Sequence, residues 1–135
     1  MALIYDIIVI PAGLPALIYV KSIFMIARMW HGMVPRTKAK AYHQFLLQTG
    51  LHDYDQTKGN RGVFLLKRDE NEVTHIYTLT FWDDYESIKL FAGDDYEKAR
   101  YYPEDKDYLL EFEPLVLHFD VLEKPAYLEQ HGAAH

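Results

Sequence analysis

The chain has 135 residues, of which 50% are hydrophobic and 25% charged, with a formal net charge of −6. That length suits one globular domain, and an acidic chain whose Lys and Arg are scattered excludes a nucleic-acid-binding stripe. With no cysteine there are no disulfides, no thiolate catalysis and no Cys-ligated metal, and the expected compartment is a reducing cytoplasm.

Residues 1–23 are apolar but broken by Asp6, Pro11, Gly13, Pro15 and Lys21, a pattern too interrupted for a membrane span. No positive charge precedes the apolar run, which also argues against a secretory signal. The expectation is an arm lying on the body or on a partner subunit, or an extension upstream of a natural start at Met25.

Residues 24–122 carry the domain. Phe24–Gly32 alternates as a first strand, with Ile26, Arg28 and Trp30 on one face and Met25, Ala27, Met29 and His31 on the other. Pro35 stops it. Thr37 is placed to cap a helix whose buried stripe is Tyr42, Phe45, Leu46 and Thr49 and whose end is Gly50. A polar connection from His52 to Asn60 leads into a strand over Val63–Arg68. Asp69–Glu72 is a hairpin turn, and Val73–Trp82 is a long strand of β-branched and aromatic residues. Asp83 and Glu86 make a capping box for a second helix carrying Ile88, Phe91 and Ala92, closed by Gly93. Tyr96–Tyr102 is expected to form a helical turn, and Pro103 to open another piece that Pro114 ends. Leu115–Leu122 is the last strand, and 123–135 a flexible tail.

Two strand-helix-strand halves in series give an α+β, ferredoxin-like βαββαβ sandwich with both helices on one side of the sheet. The first and last strands are then neighbours, bringing Arg28 and Trp30 near His118. Both strand faces are apolar, although two helices cover only one. A second copy is the simplest lid for the other, so a homodimer is expected. Which face lines a pocket stays open at this stage.

Chemistry is sparser. The seven histidines show no metal-ligand spacing, and no nucleotide-binding glycine motif or nucleophile elbow is present, so neither a metal nor another cofactor is expected. His118 lies within a strand, where a core role is the commoner fate. Arg100, Tyr101 and Tyr102 sit in the break after the second helix, beside Phe91 and Trp82. Cationic and phenolic groups against aromatic walls suit an anionic or phenolic ring. Arg100 paired with Glu97, Glu104 or Asp105 on the surface is the competing reading, and Asp94, Asp95, Glu104 and Asp105 are assigned to caps and solvated charge.

Several segments together resemble the antibiotic biosynthesis monooxygenase family of dimeric α+β barrels. They are Met25–Trp30, Gly59–Val63, Thr80–Asp83, Phe91–Asp95, Arg100–Asp105, Leu110–Pro114 and His118, within Met25 to Leu122. The resemblance implies the dimer and a small-molecule site. The haem-degrading branch uses an asparagine, a tryptophan and an iron-ligating histidine, and the corresponding positions here hold Arg28, Leu90 and Arg100, which disfavours haem degradation. The cofactor-free branch needs a dry aromatic cavity, a base and a cation near a developing phenolate. His118 as base, Arg100 or Arg28 as cation, Tyr101 as hydrogen-bond donor, and Trp30, Trp82 and Phe91 as walls would supply these. The expected activity is a cofactor-independent monooxygenase on an electron-rich aromatic or polyketide-like compound. The alternatives are an isomerase, cyclase or decarboxylase on the same scaffold, or a non-catalytic ligand-binding or stress-response dimer.

Overall fold

A computed structural model describes residues 25–125, together with the backbone of two short strands, β1 (Tyr5–Ile7) and β2 (Val20–Ser22), which pair antiparallel. The other readings made of residues 1–23 and of the tail beyond 125 lie outside the described residues.

The body is an α+β sandwich. Strands β3 (Met25–Pro35), β4 (Asn60–Glu70), β5 (Val73–Trp82) and β6 (Leu117–Val121) form one antiparallel sheet in the order β4-β5-β3-β6. This is the ferredoxin-like arrangement, with the first strand of the body in the centre beside the last. The register sets Arg28 opposite Thr80 on one side and His118 on the other. The hairpin between β4 and β5 turns at Asn71, whose positive φ of 54° is a conformation asparagine tolerates.

Helices α1 (Ala39–Gln48), α2 (Gly50–Gln56) and α3 (Tyr85–Ala92) pack on one sheet face. Alternation in the strands decides what they cover. From β3 come Ile26, Arg28, Trp30 and Val34, and from β5 Thr74, Ile76, Thr78, Thr80 and Trp82, all buried. One core cluster joins Trp30, Val34 and Ile76 to Tyr42 and Leu46 of α1, and to Leu109 and Val116. A second joins Ile26 and Trp82 to Tyr54 of α2 and to Ile88 and Phe91 of α3.

Several local details depart from the sequence reading, beginning with Thr37, which lies inside a 3-10 turn, Arg36–Lys38, and does not cap the first helix. The first helix ends at Thr49 (φ −116°, ψ −91°), within a residue of the expected stop, but much of the polar connection expected after it is helical, since α2 starts at Gly50 and drives Tyr54 into the core. The cap of α3 is Asp84, which accepts from Ser87 N at 2.8 Å, while Asp83, just beyond the end of β5, accepts from Arg61 Nε at 2.6 Å. Tyr96–Tyr102 is not helical. It runs beside the lead-in to β6 through Ala99 N to Pro114 O and Val116 N to Glu97 O, both 2.9 Å. Asp105 is no solvated charge, being 2% exposed within a short 3-10 turn, Pro103–Asp107.

Among the described residues nothing covers the opposite sheet face. Phe64, Leu66, Leu117 and Phe119 are 50%, 43%, 60% and 45% exposed. Phe64, Leu79, Met29 and Leu117 stand in one cross-strand row, with Phe81, Ala27 and Phe119 in the next. No helix among the described residues is long and apolar enough to cross a membrane.

Candidate active site

A cleft opens between the helices and the buried sheet face, lined by Arg28, Trp30, Tyr54, Phe91, Arg100 and Tyr102, among others. Each wall has a local cause. Alternation along β3 points Arg28 and Trp30 to the helices, and Trp30 lies flat enough to need a bare neighbour: a Cβ on Gly32 would stand 2.3 Å from its ring. The last turn of α3 supplies Phe91, and the continuation of the first helix past Thr49 supplies Tyr54, whose ring stacks on Phe91 at 4.2 Å.

Arg28 is the central residue. It is 1% exposed, donates from Nη2 to Lys98 O at 3.2 Å, and lies 5.6 Å from the Phe91 ring centre. Its Nε is buried with no hydrogen-bond partner among the described residues. No carboxylate pairs with it in any described ion pair, so burial pulls its pKa below the ordinary value and the nearby Tyr54 offsets only part of this. Withdrawing such a charge from water costs several kcal/mol, more than one carbonyl contact and one ring face return.

The mouth of the cleft is a polar clasp. Arg100 donates to Phe91 O at 3.0 Å and to Asp53 Oδ2 at 3.1 Å, and stacks over Phe91 and Tyr102 at 4.7 and 5.1 Å. Tyr102 donates to the same Asp53 oxygen at 2.5 Å. Burial pushes the Asp53 carboxyl up, but the Tyr102 hydroxyl, His52 and Arg100 outweigh it and hold it below the usual range. Burial and the Asp53 bond raise Tyr102 well above an ordinary phenol. Behind the clasp, Tyr42 donates to Asp105 at 2.9 Å, and burial raises that carboxyl despite this bond and the one from Tyr102 N. With the clasp closed, the enclosed part of the cleft is about 20 Å³, roughly the room of one water.

The residues singled out from sequence fall into two groups. Arg28, Trp30, Phe91 and Arg100 line this cleft together. Tyr101 stands behind Trp30, edge-on at 6.3 Å, and donates to Glu113 O at 2.6 Å. Trp82 is fully buried beneath Tyr54 and Phe91, its Nε1 donating to Thr80 at 2.8 Å. His118 sits opposite Arg28 in the sheet, between Tyr96 and Tyr85 with ring centres 5.3 and 5.8 Å away. Its Nε2 is buried without a hydrogen-bond partner among the described residues, and burial together with the charge of Arg28 lowers its pKa to about 4. No group of three or more His, Asp or Glu among the described residues could hold a metal ion. Leu90, at the position compared with the haem-degrading tryptophan, is 69% exposed.

Asp53, Tyr54 and Asp105 were not singled out as site residues. A signal for Tyr54 was present: Tyr42, Leu46, Gly50 and Tyr54 recur at four-residue steps, and all four are buried, so the helical stripe runs through the glycine.

The chain matches no described protein family and no curated protein. Among solved structures it is similar to a Bacillus cereus protein provisionally named an antibiotic biosynthesis monooxygenase, with a TM-score of 0.52 and 11% identity over 76% of this chain and 97% of that one. A Mycobacterium tuberculosis structure, at a TM-score of 0.46 and 12% identity over 75% and 96% of the two chains, superposes too loosely to carry weight. At such identity the likeness is one of fold, and the chain shares the ferredoxin-like α+β fold of the Bacillus cereus protein.

Proposed function

We propose that the chain is a cofactor-independent monooxygenase that acts, as a homodimer, on an electron-rich aromatic compound presented as a phenol. The observation that carries this reading is the buried guanidinium of Arg28, which lines a cleft of aromatic walls without a carboxylate partner. An uncompensated buried cation stabilises an anion that forms beside it.

The chemistry follows from that charge. Neutral His118, kept so by burial and by Arg28, is the base in this reading; it is the register partner of Arg28 but does not line the closed cleft, so it takes the phenol proton only from a ring that enters past the clasp. The phenolate is held by Arg28, with Arg100 at the mouth, and the imidazolium that forms is tolerated because the phenolate neutralises the guanidinium. The electron-rich carbanion resonance form then passes one electron to dioxygen, and the substrate radical and superoxide recombine into a C–O bond. Loss of water from the hydroperoxide leaves a carbonyl, so a CH₂ and O₂ become C=O and H₂O with no external reductant. Opening of the Asp53 clasp admits the ring, with Trp30 and Phe91 stacking on it and Tyr101 and Trp82 supporting these walls.

The dimer enters through the uncovered sheet face, where Phe64, Leu66, Leu117 and Phe119 expose apolar rows. The likeness in fold to the Bacillus cereus protein supports the enzymatic reading without fixing a substrate.

One observation favours a second reading. With the clasp closed the cleft has room for about one water, so no aromatic ring fits beside Arg28 in this state and a non-catalytic dimer is the competing reading. Oxygen uptake in the presence of a panel of electron-rich phenols and anthrones separates the two. Uptake that is abolished in His118→Ala and Arg28→Ala supports the monooxygenase. Binding without uptake, or uptake unchanged in both variants, rejects it.

A further inference from the structure

Four titratable side chains form a continuous chain on the open sheet face, away from the cleft. Glu113 Oε2 lies 2.7 Å from His31 Nδ1, His31 Nε2 lies 2.9 Å from His75 Nδ1, and His75 Nε2 lies 3.2 Å from Glu70 Oε1. The imidazoles are nearly coplanar, at 15°, with centroids 5.1 Å apart, so the two facing nitrogens point at one another.

Counting protons along this chain gives a definite answer. Each of the three contacts needs one proton, and carboxylates supply none. Two neutral imidazoles carry two, which leaves one contact with lone pair against lone pair. Two imidazolium rings carry four, which sets N–H against N–H between the rings. Three protons on four nitrogens satisfy every contact. We propose that His31 and His75 together form one proton-binding site, holding a single shared positive charge between Glu113 and Glu70.

The surroundings fit that charge. The other charged and titratable groups facing the pair are Arg68 of β4 and Tyr77 of β5. Arg68 stands opposite His75 and donates to Glu70 Oε2 at 3.2 Å, and the Tyr77 ring stacks on His31 at 4.8 Å. Two carboxylates are thus balanced by one guanidinium and one shared proton, a neutral set that the sheet face can carry under a covering surface. A metal ion does not fit in the proton's place, because head-on nitrogens with a metal between them stand about twice the usual 2.0–2.1 Å metal–nitrogen distance apart.

The site also reaches the cleft. Glu113, gripped through its side chain by His31, accepts the Tyr101 hydroxyl at its carbonyl, and Tyr101 packs on Trp30. The shared proton therefore clasps to the sheet the segment that positions Tyr101.

The test is a proton count by long-range ¹H–¹⁵N correlation on the full chain labelled in histidine, near pH 7, with assignments from His31→Asn and His75→Asn. Three protons on the four ring nitrogens are expected, and two or four overturn the proposal. Glu113→Gln, a half-exposed position that leaves the core intact, is expected to lower the count to two. A count of three in that variant removes Glu113 from the site and overturns the clasp.

Discussion

Arg28 and His118 are register partners across β3 and β6, and each keeps a buried nitrogen, Nε and Nε2, without a hydrogen-bond partner among the described residues. Two neighbouring groups that would both be cations cannot both be charged cheaply in a buried setting. Arginine keeps its proton at any ordinary pH, so histidine gives way. The result is a neutral acceptor beside a permanent cation, which is the pairing a phenol needs to ionise.

That pairing sets an acid limit on stability. Folded His118 titrates at about 4, against 6.5 for the free side chain, so as pH falls the unfolded chain takes up the proton first. The stability owed to neutral His118 is fully present above about 6.5 and is lost progressively as pH falls towards 4. His118→Gln, neutral throughout, is expected to flatten this limb. Urea denaturation of both proteins at steps between pH 7 and pH 4 checks it, and parallel curves would contradict the assignment.

Arg28 should trade stability for function. Its buried charge has one carbonyl contact and no carboxylate, so Arg28→Met removes a desolvation penalty while keeping much of the volume. The variant is expected to melt at the same temperature as the parent or higher, and to lose binding of phenolic ligands. Calorimetry and ligand titration on the same samples check both halves. A clear loss of stability would mean that Arg28 is a structural residue.

The sheet and the meeting of Arg28, Trp30 and His118 were legible because period-two alternation and crossover handedness fix which residues become neighbours. The end of the first helix beside Gly50 was legible, but α2 beyond it was read as part of a polar connection, because what holds it to the core is the stacking of Tyr54 on Phe91, a contact between segments distant in the chain. Asp105 was read as solvated because carboxylates usually are. Its burial depends on Tyr42, which is 63 residues away in the chain and supplies the hydrogen bond. The Asp53 clasp has the same character: Tyr102 and Arg100 reach it across 49 and 47 residues.

Gly32 should prove indispensable to the cleft wall. A methyl there would meet Trp30 ring carbons at 2.3 and 2.7 Å and Leu109 at 3.0 Å. Trp30 must then tilt into the cleft or the strand must shift, so Gly32→Ala is expected to destabilise by roughly 1–3 kcal/mol. It should also change the tryptophan near-ultraviolet circular dichroism. An unchanged spectrum with unchanged stability would show that the ring moves freely.

The open sheet face gives the most demanding prediction. Phe64 and Leu117 lie in one cross-strand row, 50% and 60% exposed, and join neither buried core cluster. Phe64→Lys and Leu117→Lys should therefore leave the fold intact, with an unchanged far-ultraviolet spectrum. In a two-fold dimer each substitution occurs twice. Burying the exposed half of one such side chain is worth about 0.75–1.5 kcal/mol, so each variant loses about 1.5–3 kcal/mol of association, or roughly ten- to a hundred-fold in Kd. Sedimentation equilibrium at micromolar concentration is expected to show a dimer for the parent and a monomer for the double variant. If the parent is itself a stable monomer, the apolar rows are not a self-interface, and the homodimer fails with them.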